Sequence, residues 1–367
     1  MEQYLCRDPV ELLTEIPEPL AKLPTVDQFT PCPKLYGNFK LPMLKLGEFM
    51  FDVTAADKRL IESRNKLLLD MDSQSLADTD PFRDLAKYNV GDRELTKMAS
   101  IQSTYHITGG FHLEQGVGDM TDFAFFSVNS GPGAWVKYLQ DILPLSQGYV
   151  TADKRRDWES QVLGNLDAGR LTFTYGDDST GNLLNNWDSI IDTVNSQFPE
   201  TFDLAIGIGA ACESEESDFK LIMAEIVTCL GVLRHRAVNN WPGGNMIIKF
   251  GDTLTTATSQ VLTLVAKCFE WITFFKPATS MDVLSEKYLI CWNYNEESET
   301  SEPYSMLKSY LGSGEHMLPS EMDVEWLTYV NNNMLDHQIQ QLESGKSDIR
   351  DYKRLAILLG LSYYYKL

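Results

Sequence analysis

Residues 123–139 read FAFFSVNSGPGAWVKYL. Phe123, Phe125, Phe126 and Val128 form a β-rich apolar run, the pattern of a buried strand. Asn129-Ser130-Gly131-Pro132-Gly133 breaks it, and Ala134, Trp135, Val136, Tyr138 and Leu139 follow at helical spacing. The stretch predicts a strand, a small-residue turn and the start of a helix. Such a turn after the first strand of an α/β sheet lets backbone N–H groups approach a ligand closely. An ordinary strand-to-helix turn has the same local signature, so the rest of the chain decides between them.

Downstream, strand and helix patterns alternate. Strands are expected at Gly148–Ala152, Leu171–Tyr175, Phe202–Ile208, Asn245–Phe250, Ile272–Phe275 and Lys287–Tyr294. Helices are expected at Gly133–Leu143, Leu184–Phe198, Glu216–Val238 and Leu254–Phe269. Seven strands alternating with helices imply an α/β fold whose sheet is covered on both faces. Ligands on such sheets bind at the carboxyl ends of the strands.

Upstream, residues 1–53 are rich in proline, which disfavours long regular elements. They read as an extended arm, and Thr54 reads as the start of a helix ending near Asp72. A second helical region is expected from Pro81 to Tyr105, interrupted near Asn89–Gly91. After Tyr294 the acidic run Glu296–Glu302 reads as a solvated linker. Helices then follow at Tyr304–Tyr310, Val324–Leu342 and Ile349–Tyr364. The expected division is an N-terminal arm and helix over 1–75, a sheet domain over 76–295, and a linker with C-terminal helices over 296–367.

The 367 residues carry a formal charge of −21 and 43% hydrophobic residues. The acidity counts against broad, non-specific nucleic-acid binding, whose affinity comes largely from lysine and arginine on phosphates. Lys154-Arg155-Arg156 is the dense basic cluster on which any RNA contact would lean. An acidic surface also suits a protein that meets a basic partner in a larger assembly. Six scattered cysteines form no CxxC pair, so no metal site is expected and a reducing compartment, cytosol or nucleus, is the default. No run of about 18 apolar residues occurs, and no membrane span or secretory signal is expected.

Six further segments join the opening turn. They are Gly148-Tyr149-Val150-Thr151 with Asp157-Trp158, Tyr175-Gly176, Thr180-Gly181-Asn182-Leu183, Gly243-Gly244-Asn245-Met246-Ile247-Ile248-Lys249, Phe275-Lys276-Pro277-Ala278-Thr279-Ser280 and Ser285-Glu286-Lys287-Tyr288-Leu289-Ile290. In this order they resemble the FtsJ-like family of S-adenosylmethionine-dependent RNA 2′-O-methyltransferases, especially the cap-specific mRNA enzymes of eukaryotes and their large DNA viruses. The resemblance runs from about Arg93 to Tyr294. It implies a seven-stranded Rossmann-like methyltransferase sheet, with the N-terminal extension and C-terminal helical appendage outside it. It implies S-adenosylmethionine as cofactor, capped RNA as partner, and a viral or cellular source. Asn129, Ser130, Gly131, Pro132, Gly133, Ala134, Trp135 and Asn182 fall on the family's cofactor positions.

The family's catalytic set is Lys-Asp-Lys-Glu. Its lysines fall on Lys97 and Lys249 and its glutamate on Glu286. A ribose 2′-hydroxyl is a poor nucleophile, and a lysine at its ordinary pKa of about 10.4 is mostly protonated. A neighbouring cation and partial burial are expected to lower that value. The aspartate position reads Ile208, in Asp203-Leu204-Ala205-Ile206-Gly207-Ile208-Gly209. An isoleucine accepts no hydrogen bond. The family's loop acid likewise reads Asn182. These departures point to impaired transfer, or to a catalytically inactive methyltransferase-fold subunit acting in RNA binding or protein assembly.

Overall fold

Strands that are apolar on both faces need cover on both faces, and the computed structural model supplies it. It describes residues 43–45, 53–80, 93–108, 123–129, 131, 133–151, 167–198, 202–212, 214–234, 243–277, 279–294, 298–313, 315–317 and 324–345. In chain order the elements are β1 Met43–Lys45, α1 Lys58–Asp70, α2 Ser73–Asp78, α3 Arg93–Tyr105, β2 Ala124–Val128, α4 Ala134–Ile142, β3 Gln147–Thr151, β4 Leu171–Thr174, α5 Leu183–Gln197, β5 Leu204–Gly207, α6 Glu215–Leu230, β6 Asn245–Phe250, α7 Thr256–Cys268, β7 Phe269–Phe275, β8 Lys287–Tyr294, α8 Ser298–Ser313, β9 Glu315–Met317 and α9 Val324–Ser344.

Seven strands form one sheet in the order β4-β3-β2-β5-β6-β8-β7. β2 pairs in parallel with β3 and β5, and β5 in parallel with β6. β8 runs antiparallel to both β6 and β7. The chain thus reverses direction across the sheet on either side of β2, the kind of switch point beside which α/β sheets bind ligands. A second, two-stranded sheet pairs β1 with β9.

Alternation along each strand divides the core into two layers. Phe125, Ile206, Ile247, Tyr288 and Ile290 pack under α3 and α4 with Met98, Ile101, Trp135 and Leu139. Phe126, Ala205, Met246, Ile248 and Leu289 face the other way, against residues of α5, α6 and α7. Leu307 of α8 and Trp326, Leu327 and Val330 of α9 extend that second layer. The Trp326 ring stacks on Phe274 at 5.8 Å.

Local chemistry explains where the elements begin and end. Thr255 caps α7 by accepting from the Thr258 N–H, and Ser214 caps α6 through the Ser217 N–H. The first helix starts after Asp57 rather than at Thr54, because the Asp57 carboxylate accepts the Arg59 N–H. The helix ends at Asp70, close to the expected Asp72, and a further short helix, α2, follows it, capped by Asp72. The expected helix to Val238 ends at Leu230. Past it the Arg234 N–H donates to Phe202 O, and Leu233 bridges to Phe202, which draws the chain back to the sheet. The acidic run is helical from Ser298 onward, inside α8. The segment Ile349–Tyr364 lies outside the described residues.

The Gly243-Gly244 pair has a packing reason. A Cβ at Gly243 would lie 1.9 Å from the Tyr294 carbonyl oxygen, and its N–H donates to the Asn293 side chain at 2.6 Å. Backbone cannot yield as a flexible side chain can. Gly243→Ala is expected to destabilise the fold by about 3 kcal/mol, read as a lowered urea midpoint with unchanged slope.

Candidate active site

The carboxyl ends of β2, β5 and β6 lie side by side, and polar residues gather there. α3 presents Lys97, which is 5% exposed. Its Nζ donates to Glu286 Oε1 at 2.7 Å and to Glu94 Oε1 at 2.5 Å. The Thr96 and Thr279 hydroxyls, 2.9 Å apart, join α3 to the loop before Glu286. β6 carries Lys249 near its end, paired in register with Tyr288 of β8. Lys249 Nζ lies 3.5 Å from Glu286 Oε1. The Tyr288 hydroxyl donates to the same oxygen at 2.8 Å, and the Ser280 hydroxyl to Oε2 at 2.8 Å. The fold thus brings Lys97, Lys249 and Glu286 together from three elements far apart in sequence.

The electrostatics follow from this crowding. Burial alone would push the Glu286 carboxyl up, but Lys97 and Lys249 hold it at about 2. Burial pulls Lys249 down, yet Glu286, Cys212 and Glu94 together raise it above its ordinary value. The expected lowering of Lys249 is therefore corrected: its neighbours are anions more than cations. Lys276 is pushed down to about 8 by burial. Its Nζ donates to the carbonyls of Leu284 and Glu286 at 2.7 and 2.9 Å, closing the loop that carries Glu286.

Arg64 of α1 braces that loop from behind. It is 5% exposed and donates to both Asp252 oxygens, at 2.8 and 3.0 Å, and to the Ser285 hydroxyl at 3.0 Å. Gln338 of α9 stands 3.5 Å from the same guanidinium.

Ile208 lies one residue past the Gly207–Ile248 pair, level with Lys249. It is half-buried and packs with the apolar layer that contains Trp135 and Tyr288. The position therefore offers a hydrocarbon face beside the lysines.

The turn after β2 sits next to this cluster. Asn129, Gly131 and Gly133 have φ of 51°, 55° and 89°, a region that favours glycine and tolerates asparagine. A Cβ on Gly131 would meet nothing within 4 Å among the described residues. Gly133 caps α4 without a side-chain hydrogen bond. Open space above an uncapped helix start suits an anionic group such as a carboxylate. Ala134 and Trp135 are buried, with the Trp135 ring 5.2 Å from Tyr288, so they shape the site from the core side. Asn182 caps α5 through the Leu184 N–H. Ser130, Pro132, Lys154, Arg155 and Arg156 lie outside the described residues.

Under the turn lies a group that pattern reading missed. Glu225 of α6 is fully buried. Its Oε1 accepts from the Asn129 side chain at 3.0 Å and the Gly209 N–H at 2.7 Å, while Oε2 has no partner among the described residues. Gly207 and Gly209 make room for it: a Cβ on Gly209 would lie 2.5 Å from Oε1. Burial pushes this carboxyl up to about 7. Glu94 was missed too, although an acid one helical turn before Lys97 was a readable signal. Glu225, inside an apolar run, gave none.

The fold and the site define a Rossmann-like α/β sheet with a lysine–carboxylate cluster at its strand ends. No family model matches the chain. Sequence relatives are more specific. A cap-specific mRNA (nucleoside-2′-O-)-methyltransferase of Autographa californica nuclear polyhedrosis virus is 27% identical over 206 residues, covering 54% of this chain and 70% of that protein. Cap-specific mRNA (nucleoside-2′-O-)-methyltransferase 1 of Dictyostelium discoideum is 27% identical over 200 residues, covering 48% of this chain and 26% of its own length. The Drosophila melanogaster methyltransferase 2 is 35% identical over 130 residues, 33% of this chain and 17% of that protein. The chain is thus similar, at family level, to cap-specific mRNA 2′-O-methyltransferases, while spanning about a quarter of the Dictyostelium relative. Among solved structures, human methyltransferase-like protein 13 with SAH aligns at a TM-score of 0.36 and 14% identity, over 60% of this chain and 92% of that one.

Proposed function

We propose that the chain binds S-adenosylmethionine at the Asn129–Ala134 turn and methylates a ribose 2′-hydroxyl of capped RNA. The observation that carries the reading is Glu286 between Lys97 and Lys249, beside an open, uncapped helix start. The names of the sequence relatives support the substrate class. The orphaned Glu225 oxygen beneath the turn and the space over Gly131 fit a ligand that carries both positive charge and a carboxylate.

Bound there, the cofactor supplies an electrophilic methyl group. The chain's own residues do the rest. Glu286 fixes both ammonium groups in one geometry, which orients whatever hydroxyl they hold. Lys249, raised above its ordinary value, remains an ammonium near neutrality. The small neutral fraction of its amine is the base: it accepts the hydroxyl proton as the oxygen becomes a nucleophile, and the ammonium so formed is held by Glu286. The hydrocarbon of Ile208 excludes water from that side.

The second reading, an inactive subunit in RNA binding or protein assembly, rests on Ile208. The two separate in one set of measurements. Incubation with cap-bearing RNA and labelled methyl donor, followed by nuclease digestion, is expected to give 2′-O-methylated nucleoside. Calorimetric binding of S-adenosylmethionine without transfer supports an inactive subunit that keeps its cofactor; no binding of it or of S-adenosylhomocysteine overturns the first reading and supports a purely structural subunit. The cytosol or nucleus suits either, and Lys154, Arg155 and Arg156 are the residues we assign to RNA contact. The sheet unit over 76–295, with its flanking segments, is the proposed functional division.

A further inference from the structure

We infer that Glu94 supplies the carboxylate that position 208 lacks, acting as a positioning residue on Lys97 from the same helix. This rests on the methyltransferase reading above and goes beyond it. With isoleucine at position 208, Lys97 and Lys249 would share the single carboxylate of Glu286, leaving a surplus positive charge in a confined site. Glu94 restores the balance. Its Oε1 is 2.5 Å from Lys97 Nζ, as close as the Glu286 contact at 2.7 Å, so the amine is gripped from two sides.

A surface pair three residues apart on a helix is ordinarily worth a few tenths of a kcal/mol. This pair is different because the Lys97 side chain is only 6% exposed. In such surroundings a charge-assisted hydrogen bond is strong. Glu94 itself is 30% exposed while Glu286 is 8% exposed, so Glu94 holds the amine from the solvent side of the cluster and Glu286 from within. Its influence reaches further, because the Glu94 carboxylate, with that of Glu286, helps to raise Lys249 against the burial that pulls it down. The other charged groups near are Lys276, which feels Lys97 and Glu286, and Glu225, which feels Lys249. Ile208 and Glu94 therefore read as a paired exchange: an acid absent from a strand end and present one helical turn from the lysine it serves.

The test is lysine titration by carbon-13 NMR on the full chain, with Lys249→Arg assigning the Lys249 signal. Glu94→Gln, which keeps shape and loses charge, is expected to lower the Lys249 midpoint by about half a pH unit or more. Adding Ile208→Asp to Glu94→Gln is expected to bring it back. In the transfer assay the single variant is expected to lose about ten- to a hundredfold in kcat, with KM for RNA nearly unchanged, and the double variant to recover. An unmoved Lys249 midpoint in Glu94→Gln overturns the inference, and so does a double variant no better than the single one. Absence of transfer in the unmodified chain, with the midpoint shift intact, overturns the methyltransferase reading alone.

Discussion

Glu286→Gln is expected to lower methyl transfer by about 10²–10⁴ and to weaken the fold at the same time. The carboxylate accepts from Lys97, Tyr288 and Ser280 and pairs with Lys249. Removing one partner of a buried charged group typically costs about 3–5 kcal/mol, since the remaining charge keeps its desolvation and loses its compensation. Falling on the transition state, that free energy gives the rate range above. The stability part has a pH signature. Glu286 sits at about 2 against an ordinary 4.5. Its folded value is depressed, so its contribution is present above pH 4.5 and is lost as the pH falls through 2. The shift corresponds to about 3 kcal/mol. Denaturation midpoints of the two proteins should therefore differ at pH 6 and converge toward pH 2. A Glu286→Gln chain as stable as the parent at pH 6 would show that the two lysines do not depend on it.

Glu225 gives the opposite slope. Burial holds it at about 7 against an ordinary 4.5, with Asn129, Gly209 and Lys249 opposing the rise and Asp218 adding to it. A carboxyl raised in the folded state contributes stability that is complete below pH 4.5 and is lost as the pH rises through 7. The span corresponds to about 3 kcal/mol. Glu225→Gln, with no charge to desolvate, is expected to remove that slope, making the variant the more stable protein at pH 8 and not at pH 4.5. Urea denaturation at those two pH values reads the difference directly; parallel curves would mean that the carboxyl ionises without cost. Taken together, the Glu286 contribution is gained as the pH rises from 2 to 4.5 and the Glu225 contribution is lost progressively from 4.5 to 7, so these two carboxyls place the stability maximum of the parent chain near pH 4.5.

Much of the sheet was readable because its signals are local. Asn245–Phe250 and Lys287–Tyr294 were placed to the residue, since apolar runs bounded by glycine or charge leave little freedom. The overlong helix past Leu230 was an error of another kind. Val232 and Leu233 continue its apolar spacing, but the bridge from Leu233 to Phe202 is a long-range contact that no local pattern contains. The same distinction governs the site. Lys97, Lys249 and Glu286 were legible through motif resemblance, and the fold gathers them. The electrostatics were not legible, because Lys249 is raised by Glu94 and Cys212, which reach it only in three dimensions. Glu225 was hidden for a physical reason: a buried acid in an apolar helix looks like a misplaced surface residue until the glycines opposite it are seen to leave room.

The Arg64 brace carries a consequence for inheritance. The resemblance to known enzymes lies between Arg93 and Tyr294, yet the loop bearing Glu286 is set in part by a guanidinium from α1, with Gln338 of α9 beside it. Segments outside the resemblance are thus mechanically joined to the loop that carries Glu286. Drift in those ends is not free: each change near Arg64 must be compatible with the geometry of Ser285 and Asp252. The helices that flank the sheet and the loop at its strand ends are one mechanical unit.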